Sequence, residues 1–153
     1  MKLKPFVKSE RVVIGIEDGS REEILQQLMQ PLVADGDLID DPDQFLGDLI
    51  RREDRVTTVL GQGVAFPHAR STGVKRLCLS IGVAAGEGVH FGPDEQTVTK
   101  LLFCIGIPSY APTAHMPILK SLATYVNSSE RVERLVNCTL PSQVVRYLAN
   151  YKG

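Results

Sequence analysis

His68 is the residue of this 153-residue chain best placed to do chemistry. It follows the run Gly61-Gln62-Gly63-Val64-Ala65-Phe66-Pro67 and precedes Ala69-Arg70. An imidazole titrates near neutral pH and is a good nitrogen nucleophile. Pro67 fixes its own φ and has no N–H for a sheet ladder, so a strand through Val64 should stop there with His68 at its end. Gly61 and Gly63 permit positive φ and a close approach by a ligand or partner. The competing reading of His68 is a turn histidine that only hydrogen-bonds locally. His115 precedes Met116-Pro117 at a helix start, where free N–H groups and the helix dipole could hold an anion. An ordinary helix-start histidine is the alternative there. His90, between the turn glycines Gly88 and Gly92, reads as a solvent-facing loop or strand-edge residue without a function.

Other chemistries find little support. There is no His-x-x-x-His, no His-Glu-x-x-His and no cysteine or carboxylate at ligand spacing, so a metal site is not indicated. No Gly-x-Ser-x-Gly elbow exists for a hydrolytic triad. Neither a Gly-x-x-x-x-Gly-Lys-[Ser/Thr] loop nor a Gly-x-Gly-x-x-Gly fingerprint is present for nucleotides. Cys78, Cys104 and Cys138 are widely spaced in apolar contexts, which reads as reduced, buried thiols rather than redox or nucleophilic ones.

The elements that must position His68 follow from pattern. Val12 to Ile16 reads as a first strand. Ser20-Arg21-Glu22-Glu23 has capping-box form, and Ile24, Leu25, Leu28, Met29, Leu32 and Val33 continue it as a helical stripe. Pro31 predicts a kink or early end, with Gly36 as the stop. A second helix starts at Asp41-Pro42, with Gln44 completing a box-like pattern, Phe45, Leu46, Leu49 and Ile50 on its core face, and Arg51 and Arg52 in its last turn. Val64 to Phe66, Leu77 to Val83 and Val98 to Ile107 read as strands, the last two buried on both faces. Three helices follow, through Ile118, Leu119, Leu122, Ala123 and Val126, through Val132, Leu135 and Val136, and from Leu140 to Tyr151. Strand, two helices, strands and then helices predicts an α/β fold with helices covering a central sheet.

Composition narrows the class. Lys plus Arg is 17 and Asp plus Glu is 18, so no global charge recruits nucleic acid or an anionic membrane. No apolar run is long enough to span a bilayer, which leaves no basis for membrane insertion. Met1-Lys2-Leu3-Lys4-Pro5 does not read as a secretory signal. The expectation is one cytoplasmic domain over residues 1–153.

The stretch Arg52-Glu53 through Thr58-Val59-Leu60-Gly61-Gln62-Gly63-Val64-Ala65-Phe66-Pro67-His68-Ala69-Arg70 resembles the type-2 IIA domains of the phosphoenolpyruvate-dependent phosphotransferase system, the fructose, mannitol and nitrogen-regulatory group. Those domains carry Arg-Glu, then a glycine-rich turn and [Val/Ile]-Ala-[Ile/Val]-Pro-His. The likeness extends from about Ser9 to Ala149 and includes Ala114-His115 with Leu119, Leu122 and Ala123. Val59 stands where the family usually has glycine, and Gln62 where asparagine is frequent in the nitrogen branch; Ala69-Arg70 is more like the sugar-transport members.

The resemblance implies a three-layer α/β/α sandwich with a central mixed sheet. It implies that His68 is the phosphorylated nucleophile, His115 the second active-site histidine and Arg52 the arginine beside the site. An HPr-like phosphocarrier would be the donor, and a IIB domain or a regulatory target the acceptor, with no cofactor, metal or nucleic acid. Arg52 would hold the phosphoryl oxygens with its forked donors. His115 would either donate to a phosphoryl oxygen or hold the His68 ring and tautomer, and Thr58 could add a hydroxyl donor. Phe66 and the face around Leu60 are candidates for the partner surface, with core packing as their alternative job. The first functional expectation is a nitrogen-regulatory phosphocarrier, since the chain matches one IIA domain without IIB or membrane IIC parts. The second is a sugar-uptake IIA that donates to a IIB cysteine, and the third an interaction module that keeps the fold without phosphotransfer.

Overall fold

The computed structural model describes residues 3–152. Met1 and Lys2, part of the segment read as no signal sequence, lie outside the described residues. Strand β1 (Val12–Ile16) is followed by α1 (Arg21–Ala34) and α2 (Pro42–Arg55). Five strands come next: β2 (Val59–Leu60), β3 (Val64–Ala65), β4 (His68–Ser71), β5 (Cys78–Ala84) and β6 (Leu101–Pro108). Helices α3 (Met116–Tyr125), α4 (Ser129–Val136) and α5 (Pro141–Ala149) complete the order. The sheet runs β1-β5-β6-β3-β2, with β4 also on β6, and mixes parallel with antiparallel pairs.

Alternation along β5 and β6 builds the two cores. Leu79, Ile81, Val83, Leu101, Phe103 and Ile105 point to one face, where they meet Ile118 and Leu122 of α3, Leu135 of α4 and Leu148 of α5. Cys78, Leu102 and Cys104 point to the other, against Ile24 and Leu28 of α1 and Phe45 and Leu49 of α2. Both strands are thus buried on both faces, and the architecture is the expected α/β/α sandwich. Ser80, fully buried, donates its hydroxyl to the Leu28 carbonyl at 2.7 Å and ties α1 to the sheet.

The helix starts behave as their residues dictate. Ser20 and Glu23 form a reciprocal capping box, and Asp41 accepts from the Gln44 N–H at 3.1 Å. The Gln44 side chain, however, reaches forward to Asp48 rather than back to the cap. Pro31 does not end α1, which runs on to Ala34. A helix-interior proline costs about 3 kcal/mol, and full burial of a leucine such as Leu32, two positions before the end, returns roughly 1.5–3 kcal/mol. Asp35 is the C-cap, so Gly36 follows directly as the expected stop, though without the positive φ that a glycine there often adopts. Helix α2 extends to Arg55, so its last turn holds Arg52 and Arg55. On α3, Ala123 faces outward while Ser121 and Tyr125 are buried.

The strand through Val64 departs from expectation in one respect. Pairing is interrupted at Phe66-Pro67, yet it resumes at His68, which opens β4 instead of ending a strand. Val64 faces Leu101 and His68 faces Ile105, so the register on β6 is unchanged across the gap. Pro67 lacks a donor but its carbonyl still accepts from the Ile105 N–H at 2.9 Å. The sequence reading of Val98 to Ile107 began too early: β6 starts at Leu101, and Thr99 forms only an isolated bridge to Val89. Gly63 uses positive φ (76°) to close the β2–β3 hairpin, and its carbonyl accepts from Lys100 and Leu101.

Candidate functional site

His68 is half-buried at the start of β4. Its Nδ1 lies 2.6 Å from the Phe66 carbonyl oxygen. A carbonyl only accepts, so Nδ1 carries the proton and Nε2 keeps the lone pair. Burial holds the pKa of this ring below its ordinary value. The Phe66 carbonyl opposes that shift, Arg52 reinforces it, Glu53 opposes it and Arg70 reinforces it. The ring is therefore kept neutral at neutral pH, the form in which an imidazole attacks.

His115 is the residue before α3, 6% exposed, with its ring centroid 5.7 Å from that of His68 and the planes 30° apart. Its Nδ1 is buried and has no partner among the described residues. A buried N–H left without an acceptor is costlier than an idle lone pair, which favours the tautomer with the proton on Nε2. Burial, then the charges of His68 and Arg70, push its pKa down as well. Phe66 already fixes the His68 tautomer, so that tautomer does not depend on His115. The α3 start is a poorer anion socket than its position promised. The Met116 N–H is taken by the Thr113 carbonyl, and Pro117 has none to give.

Arg52 sits in the last turn of α2 and donates from Nη1 to the Val56 carbonyl at 2.8 Å. Beside it Glu53 is 3% exposed and accepts from the Thr58 N–H (2.6 Å), the Thr58 hydroxyl (2.7 Å) and the Thr57 hydroxyl (3.0 Å). This carboxylate pins the end of α2 to the start of β2 and so sets where Arg52 stands. It also commits the Thr58 hydroxyl, which is consequently not a free donor to the cleft.

His68, His115 and Arg52 line one cleft of about 690 Å³, together with Arg51, Arg55 and Arg70. Asp48 pairs with Arg51, and Asp54 pairs with Arg21, so the carboxylates in the wall are already neutralised. The remaining charge is positive. A neutral nitrogen nucleophile under guanidinium groups suits a tetrahedral oxyanion group in transit. Among the described residues no His/Cys/Asp/Glu group is arranged to hold a metal ion. Sequence reasoning found the three central residues but missed Glu53, Arg51, Arg55 and Arg70 as parts of the site. The available signals were the i−1 and i+3 spacing of arginines about Arg52, and Thr57-Thr58 within reach of Glu53.

The remaining expectations separate cleanly. His90 is exposed and paired with Asp18 at 2.6 Å, outside the cleft. Phe66 is buried and stacks on Phe103 with centroids 5.3 Å apart, so it packs the core; Leu60 is 44% exposed. Cys78, Cys104 and Cys138 are free and buried.

A family model described as "Phosphoenolpyruvate-dependent sugar phosphotransferase system, EIIA 2" matches residues 5–151. The chain is 29% identical over its whole length to the PTS system 2-O-alpha-mannosyl-D-glycerate-specific EIIABC component of Escherichia coli, but spans only 23% of that protein. It is 29% identical to the PTS system fructose-specific EIIA component of Haloferax volcanii, covering 90% of this chain and 89% of the relative. It is 25% identical to the Nitrogen regulatory protein of Pseudomonas aeruginosa, covering 88% and 86%. Among solved structures, the nitrogen regulatory protein IIA-Ntr of Neisseria meningitidis superposes with a TM-score of 0.78 at 24% identity, covering 95% of this chain and 98% of that one. The mannitol IIA of Escherichia coli, solved in complex with phosphorylated IIB, gives 0.79 at 23% identity, covering 95% and 98%. These likenesses carry the fold.

Proposed function

The chain belongs to the EIIA type-2 family of the phosphoenolpyruvate-dependent sugar phosphotransferase system, and from that premise we propose that it is a phosphocarrier whose acceptor atom is His68 Nε2. The observation that carries this reading is the paired geometry of the two rings. His68 has its lone pair freed by the Nδ1–Phe66 bond, and His115 stands 5.7 Å away beneath uncompensated guanidiniums. In this reading an HPr-like phosphoprotein brings the group. His68 attacks in line, Arg52 steadies the equatorial oxygens and His115 donates from Nε2 to one of them. The free energy resides in the donor's N–P bond, so neither ATP nor a metal is required.

Passage to a IIB cysteine is the first acceptor we assign, because two relatives at 29% identity are sugar-specific components. A regulatory target is the second reading, favoured by the nitrogen regulatory relative. The same proposal makes residues 1–153 one IIA unit working in the cytoplasm; among the described residues no helix is long and apolar enough to cross a membrane.

The test is incubation with phosphoenolpyruvate, enzyme I and HPr, followed by intact mass. One acid-labile phosphoryl group is expected on the natural chain and none on His68→Ala. Equal labelling of His68→Ala would remove the assignment. Adding a purified fructose-type or mannitol-type IIB then asks whether the label moves to cysteine, which separates uptake from regulation.

A further inference from the structure

Arg70 stands two residues beyond His68 on β4. Strand alternation sets these two on the same face while Ala69 and Ser71 are buried on the other. Arg70 lines the His68–His115 cleft, and β4 pairs only with β6 among the described strands, so this face is open along its edge. The neighbouring guanidiniums are less available. Arg52 is partly spent on the Val56 carbonyl, and Arg51 is paired with Asp48. Arg70 is exposed and makes no hydrogen bond or ion pair with any other described residue. Arg55 is also uncommitted, but it sits at the end of α2, whereas Arg70 lies on the strand that carries His68 and its charge acts on both imidazoles.

We propose that Arg70 is a further catalytic residue: its free guanidinium grips the phosphoryl oxygens while the group passes from the donor nitrogen to His68 Nε2. This rests on the reading of His68 as the acceptor. In the step, the Nε2 lone pair forms the new N–P bond and the donor's N–P bond breaks, its electron pair returning to the donor nitrogen. His68 keeps its Nδ1 proton, and the positive character its ring gains is met by the Phe66 carbonyl. No proton has to move. The oxygens carry their negative charge throughout, and a planar fork on the strand beside the nucleophile can hold two of them at once.

Two donors test the idea. One is phospho-HPr; the other is phosphoramidate, a small N–P compound with no docking surface, which releases ammonia on transfer. Arg70→Gln is expected to slow labelling of His68 roughly ten- to hundredfold with both donors, and Arg70→Lys to recover part of the rate. Slowing confined to phospho-HPr would make Arg70 a docking residue and overturn the inference, as would no slowing with either donor. His68→Ala run in parallel keeps the two claims distinct. Its continued labelling refutes the acceptor assignment, whereas a normal rate for Arg70→Gln with His68→Ala unlabelled refutes Arg70 alone. Arg70 is exposed, and an unchanged thermal melt of Arg70→Gln verifies that the fold is intact.

Discussion

At the scale of residues, the two facing imidazoles differ in tautomer. His68 offers a lone pair and His115 offers a proton, and each assignment comes from what its Nδ1 meets: a carbonyl in one case, nothing in the other. Burial lowers both pKa values from 6.5. Below about 6.5 the unfolded chain therefore binds protons that the folded one still refuses, so stability and the nucleophilic form persist above that pH and are lost as pH falls through the folded values. NMR titration of the ring C–H signals is expected to place both midpoints below 6.5; a His68 midpoint at or above it would contradict the desolvated, guanidinium-flanked ring. The elements that carry His115 and Arg52 were legible in the sequence because a helix start and a helix end are local signals. His68 was expected to end a strand and instead opens β4, and only the family resemblance put the three residues in one site. The tautomers and Glu53 were not legible, since they depend on which atoms the folded chain brings within 3 Å.

At the scale of elements, caps were the most readable features, as Ser20 and Asp41 bond to N–H groups only three residues away. The short strands were not. Two-residue β2 carries too little periodicity to detect, and β4 hides behind a proline whose ladder partner, β6, is more than thirty residues distant. Helix α2 owes its placement to a contact equally invisible in sequence. The Asp40 and Asp41 N–H groups both donate to the Gly73 carbonyl, and a Cβ on Gly73 would fall 2.5 Å from the Asp41 carbonyl oxygen. Backbone cannot yield there as a flexible side chain would. Gly73→Ala is expected to cost about 1–3 kcal/mol in a denaturant melt, and to slow His68 labelling because α2 carries Arg52 at its other end. An unchanged midpoint would show that the α2 start is not clamped.

At the scale of the molecule, one sheet separates two cores, and the thiols lie within them. Cys78 and Cys104 belong to the α1–α2 side and Cys138 to the other. Burial pushes the Cys78 thiol up to about 12 and that of Cys104 higher still, so almost no thiolate exists near neutral pH. Ellman's reagent at pH 8 is expected to release no fast colour from the native protein, with Cys138 reacting first as the fold opens and all three reacting in denaturant. A rapid thiol in the native state would mean that one core is looser than described. The unbroken register on either side of Pro67 carries a last consequence. The reactive ring is fastened to a sheet, not hung on a hinge, and cannot swing toward successive visitors. In the relay proposed above, any choreography would then fall to the proteins that call on it, with this one as the anvil against which each must align.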